Sequence, residues 1–141
     1  MNKAIFHTEV QEFIGVNLRT DTNALVLKSA VFESVSNKEL AEQIQSKNKA
    51  RIKLPTWFKE KNIYYPPKLS IEQTSSEQTA QYKSSLIDGQ KLIDLTGGFG
   101  VDDFYFSKQF DEIVHCEINE SLSEITRHNF RELGVNNCSF F

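Results

Sequence analysis

An acidic residue, a glycine-rich turn and a second acidic residue form the part of the chain best suited to bind a small molecule. Asp94 ends one apolar run, and the small-residue stretch Thr96-Gly97-Gly98-Phe99-Gly100 follows it. A second apolar run, 113–116, ends in Glu117, 23 positions after Asp94. Glycine lets backbone N–H groups approach a ligand closely and adopts positive φ without a Cβ penalty. The layout predicts a site for an adenosine-containing cofactor.

The spacing of the glycines indicates which cofactor is favoured. Gly97, Gly98 and Gly100 do not fit the dinucleotide pattern G-x-G-x-x-G, and no lysine follows as in a phosphate-binding P-loop. A carboxylate at Asp94 repels phosphate but suits a cationic amine, and Glu117 can accept two hydroxyl hydrogen bonds from a ribose. The combination favours S-adenosylmethionine. The alternative is structural: Asp94 caps the next helix or holds the loop by hydrogen bonds, and Glu117 lies at a surface strand end.

Residues 1–50 are predicted to form an all-helical domain. Phe6, Val10, Phe13 and Ile14 share one helical face. A second helix, capped by residue 21 or 22, is expected to run through residues 25–31, and a third is capped at residue 36 or 37. Such a domain serves either packing or substrate binding.

Residues 51–74 read as a proline- and aromatic-rich linker. They contain all three prolines of the chain, and Tyr65-Pro66-Pro67 must be extended because a residue before proline avoids the α region. Its aromatic side chains need cover, so we expect this linker to pack against its neighbours.

Residues 75–141 alternate helices with strands. Strands are predicted over 91–95, 112–117 and 138–141, separated by helices over 101–110 and 121–133. This alternation is typical of a parallel α/β sheet. The predicted fold is therefore α/β: an N-terminal all-helical domain followed by a partial Rossmann-like parallel sheet with its first three strands.

The stretch from Asp94 to Gly100 resembles the first motif of class I S-adenosylmethionine-dependent methyltransferases, with Thr96 where the first glycine is usual. Glu117 matches the acidic residue that binds ribose hydroxyls in that family, and Ile118 matches the apolar position beside adenine. The resemblance covers roughly residues 70–141. It implies a cofactor-binding set consisting of Asp94, Thr96, Gly97, Gly98, Phe99, Gly100, Glu117 and Ile118.

A narrower resemblance concerns the substrate. Residues 70–77 are similar to the lead-in of RNA-modifying members, including trimethylguanosine-synthase-like enzymes, where it lies over the cofactor pocket. The whole chain resembles the N-terminal part of bacterial methyltransferases that carry a THUMP-like domain, which implies RNA modification. Since the family's catalytic domain has about seven strands, we expect residues 1–141 to be inactive alone and the catalytic residues to lie beyond Phe141. We also expect self-association through the exposed edge of the third strand.

Net charge, cysteine spacing and hydropathy argue against several classes of protein. The net charge of −3 shows no overall basic excess, and the basic cluster Lys47, Lys49, Arg51 and Lys53 is either a solvated helix end or a phosphate-contacting patch. Cys116 and Cys138 lack metal-site spacing and are expected to be reduced in a cytoplasmic protein. No signal peptide and no membrane-spanning run are expected.

Several roles stay open at this stage. Phe99 is either a lid on the cofactor or an anchor for the turn. Asp102 and Asp103 are interpreted as stabilising a helix N-terminus, and His115 as a packed strand residue. Two other functions compete with the methyltransferase hypothesis: a non-catalytic RNA- or protein-interaction module, and another adenosine-cofactor Rossmann protein such as a nicotinamide dehydrogenase.

Overall fold

The computed structural model describes all 141 residues, with helices leading into a three-stranded parallel sheet. After a 3₁₀ helix at Lys3–Phe6, the α-helices are α1 (Thr8–Val16), α2 (Thr22–Val26), α3 (Asn37–Lys53), α4 (Pro55–Lys59), α5 (Lys68–Gln73), α6 (Glu77–Ser84), α7 (Val101–Phe106) and α8 (Glu120–Glu132). The strands are β1 (Gly89–Asp94), β2 (Phe110–His115) and β3 (Cys138–Phe140). The predicted α/β class, with helices first and then three parallel strands, is confirmed. None of the helices combines the length and the apolar character needed to cross a bilayer.

The sheet brings the ends of its first two strands together. Its order is β1-β2-β3, and Asp94 is the register partner of His115. On the face that carries His115, Phe130 of α8 packs edge-on against both His115 and Phe140. On the other face Ile93 is 56% exposed. Because parallel strands run the same way, the segments after β1 and β2 leave the sheet at one edge.

The predicted end of the helix over 101–110 was wrong, because α7 stops at Phe106. The amide of Asn137, just before β3, donates hydrogen bonds to the carbonyls of Ser107 and Phe110, each at 2.9 Å. This amide holds the turn after α7 and lets β2 begin at Phe110, two residues before the predicted start. Strand β1 likewise begins and ends earlier than predicted.

The second predicted helix was also too long, because α2 ends at Val26 rather than near Val31. The side chain of Asn37 explains the stop. Its Nδ2 donates to three backbone carbonyls, those of Leu25, Lys28 and Ser29, at 3.0–3.1 Å. Its Oδ1 accepts from the Val31 N–H at 3.1 Å. Carbonyl groups that bond to this amide are no longer available to extend α2.

The apolar interior forms two clusters. One lies among α1, α2 and α3 and includes Ile14, Leu40 and Ile44. The other joins the end of α3 and the segment 51–74 to the sheet-side helices; its members include Leu54, Trp57, Ile71, Phe99, Phe104 and Phe130. Helix α3 thus runs to Lys53 and contributes to both clusters, while the division into domains at residues 50 and 74 stays a prediction.

Two buried amides fix the extended segment between α4 and α5. Gln43 of α3 accepts from the Tyr65 N–H at 3.0 Å and donates to the Tyr65 carbonyl at 2.7 Å. Asn129 of α8 does the same for Tyr64, with both bonds at 2.9 Å. Adjacent peptide groups are therefore held from opposite sides, one by the helical part and one by the sheet part.

We expect Asn129→Ala to lower the free energy of unfolding by about 2–4 kcal/mol, because two backbone groups of Tyr64 lose their partner. Urea denaturation measures the change. Asn136→Ala is the matched control: this residue is exposed, and we expect an effect within about 0.5 kcal/mol. Equal destabilisation by the two substitutions would show that the amide does not hold the segment.

Candidate functional site

The glycine-rich turn after β1 is held by backbone and side-chain hydrogen bonds. Asp94 Oδ1 accepts from the Thr96 N–H at 2.8 Å and from the Thr96 hydroxyl at 3.3 Å. The Gly100 N–H donates to the Gly97 carbonyl at 2.8 Å. Gly98 and Gly100 adopt φ of 55° and 75°, which disfavours any residue with a Cβ. These bonds close the turn, and Gly100 is the N-cap residue of α7.

Glu117 ties this turn to the start of α8. One carboxylate oxygen accepts from the Gly98 N–H at 3.0 Å, and the other accepts from the Asn119 N–H at 2.7 Å. From the opposite side the Thr126 hydroxyl donates to the Gly98 carbonyl at 2.9 Å. Asp94 and Glu117 thus both use oxygens to hold the loops, a role that the structural alternative gave to Asp94 but not to Glu117. A carboxylate offers about four lone-pair sites, so each retains accepting capacity.

The two carboxylates open into one cavity of about 540 Å³ at the carboxyl edge of the sheet. Its wall includes Asp94, Thr96, Gly97, Gly98, Phe99 and Glu117 from the predicted set. Further lining comes from Ser70, Gln73, Thr74 and Ser75 of the lead-in, and from Asn119 and Leu122 of the α8 start. The hollow between the two acidic residues is therefore real, and the lead-in forms one of its sides.

Two residues of the predicted set do not line this cavity. Gly100 is buried beneath it, where an added Cβ would meet Thr126 and Phe130. Ile118 is 99% exposed and lies outside the lining. Phe99 lines the cavity but is 2% exposed, with its ring 6.3 Å from that of Trp57. Of the two roles left open for Phe99, the geometry is that of an anchor for the turn.

Sequence reasoning placed the lead-in over the pocket but did not connect it to Lys83 of α6, which also lines the cavity. Lys83 Nζ bonds to both Asp102 Oδ2 and Ser75 Oγ at 2.9 Å, and Ser75 Oγ is 2.8 Å from the same Asp102 oxygen. This triangle closes one side of the cavity. It spans 27 positions of sequence, and no local pattern signals it. Only the acidity of Asp102 at a helix start was visible, and it was interpreted as stabilising the helix.

The cavity is acidic. Asp94, Asp102 and Glu117 line it, and Lys83 is the only cationic side chain among the lining residues. Lys83 is committed to Asp102, which leaves two carboxylates to act on a ligand. Such a surface repels phosphate and attracts a cation. No group of three His, Cys, Asp or Glu side chains is arranged to hold a metal ion.

A buried acid–histidine pair lies beneath the turn. Asp103 Oδ2, in the first turn of α7, is 2.6 Å from His115 Nδ1 at the end of β2, and both side chains are 0% exposed. A Cβ on Gly97 would overlap the imidazole ring, so the turn rests directly on His115. Asp103 Oδ1 and His115 Nε2 have no hydrogen-bond partner. Burial raises the pKa of Asp103 to about 6; the His115 bond opposes this rise, and the Asp94 carboxylate adds to it.

Comparison with known proteins supports the fold. No protein-family model and no curated protein matches the chain. Among solved structures, a candidate methyltransferase from Porphyromonas gingivalis W83 is 28% identical with a TM-score of 0.78, over 99% of this chain and 34% of that one. An rRNA methylase from Streptococcus thermophilus is 17% identical with a TM-score of 0.40, over 45% of this chain and 39% of that one. The second likeness is too weak to bear on the fold.

The likeness to the Porphyromonas protein extends over both the helical part and the sheet. The chain thus has a methyltransferase fold with a partial Rossmann-like sheet, and it spans about a third of the length of that protein.

The raised pKa of Asp103 predicts a pH dependence of stability. The folded state holds the proton up to a pH of about 6, whereas an unfolded aspartic acid loses it near the ordinary pKa of 3.8. The protonated carboxyl therefore stabilises the folded state fully below pH 3.8, and this stabilisation is lost as the pH rises through about 6. The loss in the free energy of unfolding amounts to at most about 3 kcal/mol. Asn mimics the protonated acid. We therefore expect wild type to become less stable relative to Asp103→Asn between about pH 4 and pH 7, measured by urea denaturation.

The exposed acid Asp111 provides the control, since Asp111→Asn removes a carboxylate at the surface. Parallel stability curves for wild type and Asp103→Asn across this range would contradict the assignment of a raised pKa to Asp103.

Proposed function

We propose that the chain carries the cofactor-binding half of an S-adenosylmethionine-dependent methyltransferase. One observation carries the proposal: Asp94 and Glu117 open into a single cavity at a glycine turn, at the carboxyl edge of a parallel sheet. Ligands of such sheets bind at that edge. The likeness to a candidate methyltransferase supports the same assignment.

The residues present fit this cofactor in size and charge. A volume of about 540 Å³ lies within the range of roughly 300–1,000 Å³ typical of small-molecule pockets. S-adenosylmethionine carries a sulfonium and an ammonium, and its adenosine bears no phosphate. An acidic cavity suits that charge and disfavours the pyrophosphate of a dinucleotide, which argues against the nicotinamide dehydrogenase alternative.

Each residue then has a distinct task. The cofactor, when bound, would supply an activated methyl group on its sulfonium. Glu117 accepts hydrogen bonds from ribose hydroxyls while holding Gly98 in place. Asp94 offers its second oxygen to the cationic amino acid part, and the Thr96–Gly98 backbone permits close approach. Methyl transfer needs alignment and exclusion of water more than acid–base chemistry, and we assign no residue of this chain as a catalytic base.

We further propose RNA as the substrate of the protein that contains this chain. The support is the resemblance of residues 70–77 to the lead-in of RNA-modifying methyltransferases, and of the whole chain to bacterial methyltransferases with a THUMP-like domain. In the structure, Ser70, Gln73, Thr74 and Ser75 line the cavity, where a lead-in of that kind would contact the cofactor. We also propose a cytoplasmic location, which the free thiols of Cys116 and Cys138 support.

Calorimetric titration with S-adenosylhomocysteine tests the cofactor assignment. We expect binding by the wild-type chain, weakened about tenfold or more, or ~1.4 kcal/mol, by Asp94→Asn and by Glu117→Gln. Glu120→Gln is the matched control, because this exposed acid lies next to the cavity without lining it. Equal affinity in all four proteins, or tighter binding of NAD, would contradict the proposal.

We also propose that the chain self-associates through an open edge of its sheet. Both β1 and β3 have a neighbour on one side only, and β1 has six residues against three in β3. Ile93 and Leu95 near the β1 edge are 56% and 78% exposed. Unpaired edges with apolar side chains recruit further strands. The sequence predicted association at the edge of the third strand. In the structure β3 is an open edge as well, but the open edge at β1 is longer.

Light scattering across a wide concentration range checks the association. We expect the mass of the wild-type chain to rise with concentration and that of Ile93→Lys to stay monomeric, because a charge at an edge blocks strand pairing. Lys91→Arg, which keeps the charge on the same strand, should behave as wild type. A monomeric wild-type chain throughout would rule the association out.

A further inference from the structure

A second cavity, of about 610 Å³, lies between the last turns of α3 and helix α5. Its floor is Ile71, which is 0% exposed. Four cationic side chains line it: Lys49, Arg51, Lys53 and Lys68. Gln45 and Asn48 add polar groups, and Glu72 is the only carboxylate in the lining. We refer to this site as the cationic cavity.

The positive charge of the cationic cavity is only partly compensated. Glu72 lies 3.1 Å from Lys49 Nζ and 3.7 Å from Lys68 Nζ, and its backbone carbonyl accepts from Lys53 Nζ at 2.7 Å. Arg51 is exposed and makes no ion pair. One carboxylate thus serves several cations, in a chain whose overall charge is −3. Burial lowers the pKa of Lys53, and the nearby Lys49 lowers it further while Glu72 opposes, so a bound anion would favour the charged form.

The position of the cationic cavity relates it to the glycine turn. Helix α5 lies between the two cavities. Its Lys68, Ile71 and Glu72 line the cationic cavity, whereas Ser70 and Gln73 line the cavity of the turn. A helix is about 10–12 Å across with its side chains, or roughly three steps of a stacked strand at ~3.4 Å each. A strand whose phosphates lie at the cationic cavity can therefore reach the glycine-turn cavity with a nucleoside about three steps further along.

We propose that the cationic cavity binds the phosphodiester backbone of a nucleic acid strand, positioning a nucleotide a few steps away at the glycine-turn cavity. The role in substrate positioning rests on the proposed methyltransferase function, whereas the binding of the backbone does not. The guanidinium of Arg51 offers paired N–H donors that match phosphate oxygens, and the lysines act as point charges beside it. Because the two cavities have opposite charge, phosphate is attracted to the cationic cavity and the cationic cofactor to the glycine-turn cavity.

Fluorescence anisotropy with a labelled single-stranded RNA, in the absence of cofactor, tests the proposal. We expect Arg51→Gln and Lys68→Gln each to weaken binding several-fold and the double variant about tenfold or more. The slope of log affinity against log salt should fall by about 0.7 for each phosphate that a variant no longer neutralises. Lys38→Gln is the matched control, with the same charge change in α3 but outside the cationic cavity.

The competitors separate the sources of the anion. DNA of the same sequence should displace the RNA, because the backbone is the feature recognised. Displacement by triphosphate alone at equal concentration would indicate a small-anion site, and displacement by a poly-glutamate peptide would indicate an acidic-peptide groove. Equal effects of Arg51→Gln and Lys38→Gln would exclude the cationic cavity as the RNA-binding site. Each of these results overturns the proposal. RNA binding that persists in Asp94→Asn supports it, even where S-adenosylhomocysteine binding fails.

Discussion

The candidate site depends on a close approach between the Gly97 backbone and the buried imidazole of His115. No side chain fits between them, because a Cβ at position 97 would overlap the ring. His115 is fixed in turn by its 2.6 Å contact with Asp103, which anchors the first turn of α7 to the end of β2. The turn, the helix start and the strand end therefore form one packed unit beneath the two carboxylates.

The helical part of the chain contributes to the same site at a distance. Glu77 at the start of α6 accepts from the Thr56 N–H of α4 and from the Tyr105 hydroxyl of α7. Gln43 and Asn129 hold the extended segment from two sides. These buried polar contacts place Ser75 of the lead-in and Lys83 of α6 against Asp102 at the cavity wall. The cavity thus depends on polar contacts between the helical part of the chain and the sheet part.

The sequence was sufficient for the features that have a local cause. The third helix was predicted to be capped at residue 36 or 37, and Ser36 caps α3; the alternation of elements predicted the parallel sheet. The pairing of Asp94 with Glu117 across one hollow followed from the rule that parallel strands end at one edge. These predictions needed only periodicity, caps and strand direction.

Other features have causes that lie far apart in the sequence. Asn37 ends α2 by binding carbonyls 8–12 positions earlier, and Asn137 ends α7 from 27–30 positions away. The exposure of Ile118 and the inward ring of Phe99 depend on how α8 and Trp57 pack. The Asp103–His115 pair joins two residues that separately looked unremarkable at a helix start and within a strand. Long-range side-chain bonds of this kind leave no periodic signal.

Whether the hollow between Asp94 and Glu117 holds the cofactor can be read from backbone amide chemical shifts during titration with S-adenosylhomocysteine. We expect the largest shifts on Thr96, Gly97 and Gly98, on Asn119 beside Glu117, and on Ser75 of the lead-in. A ligand that binds while these amides stay unmoved, or that shifts only residues of α1 and α2, would refute the shared site.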